Sequence, residues 1–487
     1  MSGPPTDRLS TGVSGLDEIL HGGLLAGRSY LVRGPPGAGK TILGYEFLTA
    51  DSDADSLLIN LEESEQKARE NAASLGFDLS NVSFLDLSPE SDFFADDQSY
   101  SIFEPDEVEQ QSLTDRIVEE VQEREPDRVF LDPVTQFRNL TSDSFQFRKQ
   151  VVSFMRFLTE SDATVLFTSQ RTTQTPDDDL QFLSDGIVEL DHTDHGRSLS
   201  VPKFRGSDRR EGTHAVDITD EGLVVYPLLV PEEHSAEVSA DPIGSGLDGL
   251  DSLLGGGIER GTITILSGPT GVGKTTTSTL FAKHAAETGE RAAIYMFEES
   301  TATFRQRSQA LGIPITDLEA DENLAVQEIE PLTRSAEEFA HMVRQEVEQH
   351  DTSVVVLDGI NGYQLSIRGD EDTLIRRLHA LGRYLKNMGV TVVMVDEVDT
   401  VSGEFKATNV GISYLADNVL FLRHIELDGE LRKVIGVLKK RVSDFEPTLR
   451  EFKMDDGTVS VGDPMTDIRG LLQGTPERIN RSEVRHD

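Results

Sequence analysis

The sequence contains no cysteine. Disulfides are therefore excluded, and so is a zinc site built on thiolates. No apolar run approaches the roughly 18 residues that a membrane-crossing helix needs. Apolar residues make up 37% of the chain and fall in short periodic blocks. The opening stretch, MSGPPTDRLSTG, lacks the basic, apolar and small-residue zones of a secretory signal, so a cytoplasmic address is expected. Positive charge is also scarce: 45 Lys and Arg face 87 Asp and Glu, a formal charge of -42. That balance argues against a broad nucleic-acid-binding face, which requires clustered Lys and Arg, though a local basic groove inside a ring stays open. The acids run through both halves rather than forming one terminal tail. Adaptation to concentrated salt fits this better than an acidic interaction tail, because a Debye length of about 3 Å at 1 M screens self-repulsion.

With 487 residues the chain exceeds one ordinary core and suits two domains or three. Its largest regularity is a duplication. Ser14-Gly15-Leu16-Asp17 followed by His21-Gly22-Gly23 recurs as Ser245-Gly246-Leu247-Asp248 followed by Gly255-Gly256-Gly257. Gly34-Pro35-Pro36-Gly37-Ala38-Gly39-Lys40-Thr41 recurs as Gly268-Pro269-Thr270-Gly271-Val272-Gly273-Lys274-Thr275, with Thr276 behind it. Leu61-Glu62-Glu63-Ser64 returns as Phe297-Glu298-Glu299-Ser300, and Val129-Phe130-Leu131-Asp132 as Val355-Val356-Leu357-Asp358. Four features in one order at nearly one offset predict two copies of a domain, 1–226 and 242–462. Between them, 227–241 is rich in Pro, Glu, Ser and Ala and predicts a linker. Residues 463–487 turn polar and predict a partly ordered extension. In each copy, short β-branched runs alternate with helical patterns. This predicts α/β architecture, a mostly parallel sheet flanked by helices on both faces. The runs Leu199–Phe204, Ala215–Ile218 and Leu223–Tyr226 predict antiparallel strands at one sheet edge.

The glycine segments match G-x-x-x-x-G-K-[ST]. Their glycines let successive N–H groups converge on phosphate oxygens, and the following helix turns its positive end toward the anion. Lys40 and Lys274 would reach the β- and γ-phosphates of ATP, while Thr41 and Thr275 would coordinate Mg2+. Asp132 and Asp358, each ending an apolar run, stand where an acid holds that ion through water. An Asp at a strand end can equally cap a turn, but a glycine loop upstream in both copies favours the metal role. Glu62-Glu63 and Glu298-Glu299 follow the next strand, where a carboxylate can take a proton from water or a hydroxyl. In so acidic a chain one Glu-Glu pair could be plain surface; its recurrence points to catalysis.

Together these motifs resemble the KaiC family, circadian-clock ATPases of the RecA superfamily with archaeal relatives, from Ser10 to about Ile479. The resemblance implies two RecA-like P-loop NTPase domains in tandem, assembled as a homo-hexameric double ring with nucleotide at subunit interfaces. It also implies that Lys203 and Arg205, in Lys203-Phe204-Arg205-Gly206-Ser207, act on the neighbour's nucleotide, as Lys439 and Arg441 do in the second copy. Without the resemblance these four are as readily surface charge. The family's second domain phosphorylates itself on an adjacent Ser-Thr pair. Here Ser413 falls at the serine, Tyr414 at the threonine and Thr408 on a nearby threonine of the same relay. Ser413 alone reads equally as a turn or cap. Val442 and Phe445 replace an expected glycine and histidine, and Arg209 replaces a histidine in the first copy. The resemblance thus implies an ATPase with serine/threonine autokinase activity, a regulatory switch answering to a signalling partner protein. A recombination-related, DNA-stimulated ATPase and a nucleotide-held scaffold with little turnover are the alternatives.

Overall fold

The computed structural model describes residues 7–88, 91, 107–136, 144–170, 178–193, 196–233, 241–398, 414–427, 429–455, 457–466, 468–470 and 477–478. The chain divides into two compact units, Met1–Leu228 and Leu229–Asp487.

The first unit holds a nine-stranded sheet. Its strands are β1 (Ser29–Gly34), β2 (Ser56–Asn60), β3 (Val82–Asp86), β4 (Arg128–Asp132), β5 (Thr164–Gln170), β6 (Gly186–Thr193), β7 (Gly196–Phe204), β8 (His214–Thr219) and β9 (Gly222–Tyr226). Their lateral order is β9-β8-β7-β6-β1-β5-β4-β2-β3. The second unit repeats this with β10 (Ile263–Gly268), β11 (Ala292–Met296), β12 (Leu324–Glu328), β13 (Val354–Asp358), β14 (Thr391–Glu397), β15 (Asn418–Leu427), β16 (Glu430–Lys440), β17 (Arg450–Asp455) and β18 (Thr458–Pro464). The order is the same strand for strand: β18-β17-β16-β15-β10-β14-β13-β11-β12. In both, the six strands from β6 to β3, or β15 to β12, pair in parallel, and the last three extend that edge antiparallel. This is the tandem RecA-like α/β architecture expected, antiparallel edge included.

Both faces of each parallel region are buried, which is why its strands are almost continuously apolar. Alternate residues feed different cores: Tyr30 and Val32 of β1 pack on one face, Leu31 on the other. Helix α1 (Lys40–Thr49) covers the first face with Leu43, Tyr45, Phe47 and Leu48. The opposite face receives α3 (Glu107–Arg124) and α4 (Ser144–Glu160), after α2 (Glu65–Ser74) in the chain. Phe147, Val151, Phe154, Met155 and Leu158 of α4 recur at helical spacing and all lie in that core. In the second unit α5 (Lys274–Glu287) covers one face. After α6 (Thr301–Ala310), helices α7 (Ala336–His350) and α8 (Glu371–Asn387) cover the other, α8 through Leu374, Leu378, Leu381 and Leu385. Each such leucine contributes about 1.5–3 kcal/mol on leaving water.

Three details differ from the sequence expectation. The repeat of the opening motif is in another register. Asp17 Oδ1 accepts from Thr11 N at 2.8 Å, and its counterpart is Asp251, whose Oδ1 accepts from Ser245 N at 2.7 Å. Asp17 thus corresponds to Asp251 and not to Asp248, because the aspartate's task is to tie down the chain six residues back. The segment after Leu228 does not run free at its start: Leu229 packs on the second unit's core, and Asn387 Nδ2 donates to Pro231 O at 2.8 Å. Finally, β18 continues to Pro464, past Gly462, and Ile468–Arg469 pairs with Glu477–Arg478.

Candidate nucleotide sites

Each glycine loop leaves a central sheet strand and enters a helix. Gly34 and Gly268 end β1 and β10, and Lys40 and Lys274 begin α1 and α5. The residues that cap these helices, Gly39 and Gly273, have φ of 102° and 112°, backbone that a side chain would strain. Over Gly37 and Gly271 (φ 75° and 72°) there is open space where a Cβ would stand. Lys40 is buried, its ammonium donating to the carbonyls of Gly34 and Pro35 at 2.9 Å each. Desolvation lowers its pKa, against the raising pull of Asp132 and Glu62. Lys274 is equally buried and donates to Pro269 O at 2.8 Å.

The paired acids of the metal reading come together with their threonines. Thr41 Oγ1 donates to Asp132 Oδ2 at 2.7 Å, and Thr275 Oγ1 to Asp358 Oδ1 at 3.1 Å. Thr168 of β5 also donates to Asp132, whereas Val395 holds the same register on β14 and has no hydroxyl to offer. Desolvation raises both carboxyls above the usual range; Asp358 reaches about 6, with Thr275 and Arg307 opposing the rise.

The glutamates at the ends of β2 and β11 diverge within each pair. The N–H groups of Glu62 and Glu63 both donate to Asn60 Oδ1, at 3.0 and 3.2 Å, which fixes the turn. Glu62 Oε2 accepts from Gln170 Nε2 at 3.0 Å, while Glu63 Oε2 accepts from Asn71 of α2 at 2.9 Å. Desolvation, with Asp132 and Glu63 nearby, raises the pKa of Glu62. Glu298 Oε1 accepts from Gly362 N at 3.0 Å, and Glu299 pairs with Arg307 at 2.7 Å. Glycine is required at 362, where a Cβ would lie 2.6 Å from Glu298 Cγ. Thr275, Glu298, Glu299, Arg307 and Asp358 line one cavity of about 600 Å3; Thr41, Asn60, Glu62, Glu63 and Asp132 line one of about 230 Å3.

A triphosphate with magnesium fits this donor set. The buried lysine and the uncovered glycine coil suit phosphate oxygens, and the anion would sit at a helix N-terminus. Among the described residues no three His, Cys, Asp or Glu side chains converge on a metal. One hydroxyl and one carboxylate per site suit an ion that takes its other oxygens from water and phosphate.

Lys203, Arg205, Lys439 and Arg441 lie elsewhere. Phe204 pairs with Gly186, which pairs with Tyr30 at the start of β1, whereas the glycine loop leaves the far end of that strand. Lys203 Nζ donates to the carbonyls of Gln181 and Ser184, both at 2.6 Å, and Arg205 stands 3.9 Å from Asp185. The second unit repeats this: Lys439 donates to Ala416 O at 2.6 Å and Arg441 stands 3.7 Å from Asp417. Ser413 and Thr408 lie outside the described residues. Sequence reasoning missed Gln170, Glu397, Thr168, Arg307 and Asn60. Asn60 carried a local signal, a turn-forming Asx two residues before Glu62; Arg307 reaches Glu299 from the helix that follows it, and Gln170, Glu397 and Thr168 are brought in by strand order.

The chain matches the family model described as ATPase: KaiC over residues 9–230 and again over 243–466. It is 27% identical over 494 residues to the circadian clock oscillator protein KaiC of Picosynechococcus sp., covering 97% of this chain and 93% of the relative. The KaiC of Synechococcus elongatus is 27% identical over 498 residues, with 98% and 93% covered. The circadian clock protein KaiC3 of Synechocystis sp. is 27% identical over 499 residues, with 98% and 96% covered. No helix among the described residues is long and apolar enough to cross a membrane.

Proposed function

This chain belongs to the KaiC family of ATPases, and from that premise we propose a magnesium-dependent ATPase with two working sites and serine autokinase activity in the second unit. The observation that carries the reading is the threonine–aspartate pair beside a buried loop lysine, present in both units with diverging glutamates at its rim. In hydrolysis, water attacks the γ-phosphorus, the bond to the bridging oxygen breaks, and Glu62 or Glu63 accepts the water's proton. The raised pKa of Glu62 brings it nearer the working pH of a general base. In the second unit Glu298 or Glu299 does the same for water or for the hydroxyl of Ser413, with Thr408 as a second acceptor. Thr41 with Asp132, and Thr275 with Asp358, would hold the magnesium, which would supply charge neutralisation on the phosphates.

Lys203 and Arg205 sit at the end of the sheet opposite their own loop, which supports action on a neighbouring copy, as with Lys439 and Arg441. The same reading makes the active form a homo-hexamer, a cytoplasmic regulatory switch for a signalling partner protein, working in concentrated salt as its charge suggests. The test is phosphate release by the full chain in molar potassium chloride with Mg-ATP, read beside phosphosite mass spectrometry. Glu62→Gln/Glu63→Gln and Glu298→Gln/Glu299→Gln should each remove one unit's share, a loss of about 10²- to 10⁴-fold at that site. If neither double variant slows release, the glutamate assignment is wrong. If Ser413 and Thr408 carry no phosphate after incubation, the autokinase reading fails.

A further inference from the structure

Gln170 and Glu397 end the strands β5 and β14 that flank the glycine-loop strands, in identical register. Gln170 pairs across from Gly34, and Glu397 from Gly268. One is a neutral amide and the other a carboxylate, although the loop lysine, the threonine, the strand-end aspartate and the glutamate pair are duplicated. Gln170 donates to Glu62 and leaves the ammonium of Lys40 to two backbone carbonyls. Glu397 instead engages its loop lysine: Oε2 stands 3.4 Å from Lys274 Nζ, whose side chain is 8% exposed. Asn361 Nδ2 donates to the backbone carbonyl of Glu397 at 3.0 Å, which fixes the main chain from which the carboxylate reaches Lys274. It lines the same cavity as Thr275, Glu298, Glu299 and Asp358.

We propose that Glu397 sets the nucleotide affinity of the second site, competing with incoming phosphate for Lys274 so that this site fills at higher ATP concentration than the first. This rests on the reading of both loops as ATP sites. A phosphate reaching Lys274 must displace the carboxylate, and the carboxylate then either stays beside the phosphates and repels them or turns outward. Either course weakens binding, whereas Gln170 imposes no such competition on Lys40. The second cavity also holds Glu298, Glu299 and Asp358, but Arg307 pairs with Glu299 where the first unit sets neutral Asn71 against Glu63, so the difference that bears on the loop lysine itself is Glu397 in place of Gln170. The chain thereby acquires two ATP thresholds, the first unit saturating before the second responds.

The experiment measures binding of a non-hydrolysable ATP analogue with magnesium to the full chain by equilibrium dialysis. Lys40→Ala isolates the second site, and Lys274→Ala isolates the first. Glu397→Gln and Glu397→Ala should each tighten the second site about three- to fivefold, the scale of a partly exposed ion pair. Gln170→Glu should weaken the first site by a similar factor. In the otherwise wild-type chain, two-phase binding should merge toward a single phase with Glu397→Gln, a readout independent of the lysine variants. Unchanged or weakened second-site affinity in both Glu397 variants overturns the proposal while the ATP-site reading stands. Absence of binding in both backgrounds and in the unsubstituted chain overturns the ATP-site reading and this proposal with it.

Discussion

Asp358→Asn should make the second unit more stable while disabling it. Asp358 ends β13 at 7% exposure, accepts one hydroxyl hydrogen bond from Thr275, and has Glu298 and Glu299 as acidic neighbours. Burial raises its carboxyl from 3.8 to about 6. The folded chain therefore keeps the proton over a window, 3.8 to about 6, in which the unfolded chain has released it. The stability this group contributes falls as pH rises through that window and is gone above it. Two pKa units or slightly more correspond to about 3 kcal/mol at neutral pH, an order-of-magnitude value. Asparagine keeps the shape and a hydrogen-bonding oxygen for Thr275 but carries no charge to desolvate. Denaturation curves in a magnesium chelator, without nucleotide, should show the variant's second unit more stable at pH 8, with the gain shrinking toward zero near pH 4. Mg-ATP turnover at that site should collapse in parallel. A variant no more stable than wild type at pH 8, or a gain constant with pH, would refute the assignment of burial as the cause.

Two further outcomes follow from the geometry. Since Lys203 and Arg205 lie away from their own loop, chains carrying Arg205→Ala and chains carrying Lys40→Ala should each lack first-unit turnover. Co-assembled in equal amounts on a Lys274→Ala background, they should recover about a quarter of it, the share of head-to-tail interfaces pairing an intact loop with an intact arginine; no recovery in assembled mixtures would mean that the cations do not act across subunits. Gly44 of α1 has no room for a side chain, since a Cβ would lie 2.0 Å from the buried Phe130 ring. The equivalent positions of the second unit hold Ser278 and Val356, a larger helix residue against a smaller strand residue. Gly44→Ala should therefore destabilise the first unit by about 1–3 kcal/mol, and adding Phe130→Val should restore much of that loss in denaturant titrations; strictly additive losses would count against this packing.

Much of the candidate site could be read before any fold was known. Both glycine loops, their lysines and threonines, the strand-end aspartates and the glutamate pairs are contiguous or recurrent strings. Their chemistry follows from local backbone: glycines that accept positive φ, a helix that starts at the lysine, a strand that ends at an acid. The opening motif shows the limit of string matching. Asp17 and Asp248 look equivalent by neighbouring letters, yet the hydrogen bonds to Thr11 and Ser245 make Asp251 the true counterpart.

By itself, then, the sequence determined the duplication, the alternating strands and helices, and the local chemistry of each phosphate loop. Tertiary structure alone decided which strands flank β1 and β10. That choice put Thr168 on Asp132, Gln170 against Glu62 and Glu397 against Lys274, and set Lys203 and Arg205 at the end of the sheet opposite their own loop. The reason is physical: strand periodicity states which face is buried but carries no label for lateral neighbours, which emerge only when the whole sheet and its two helical layers pack.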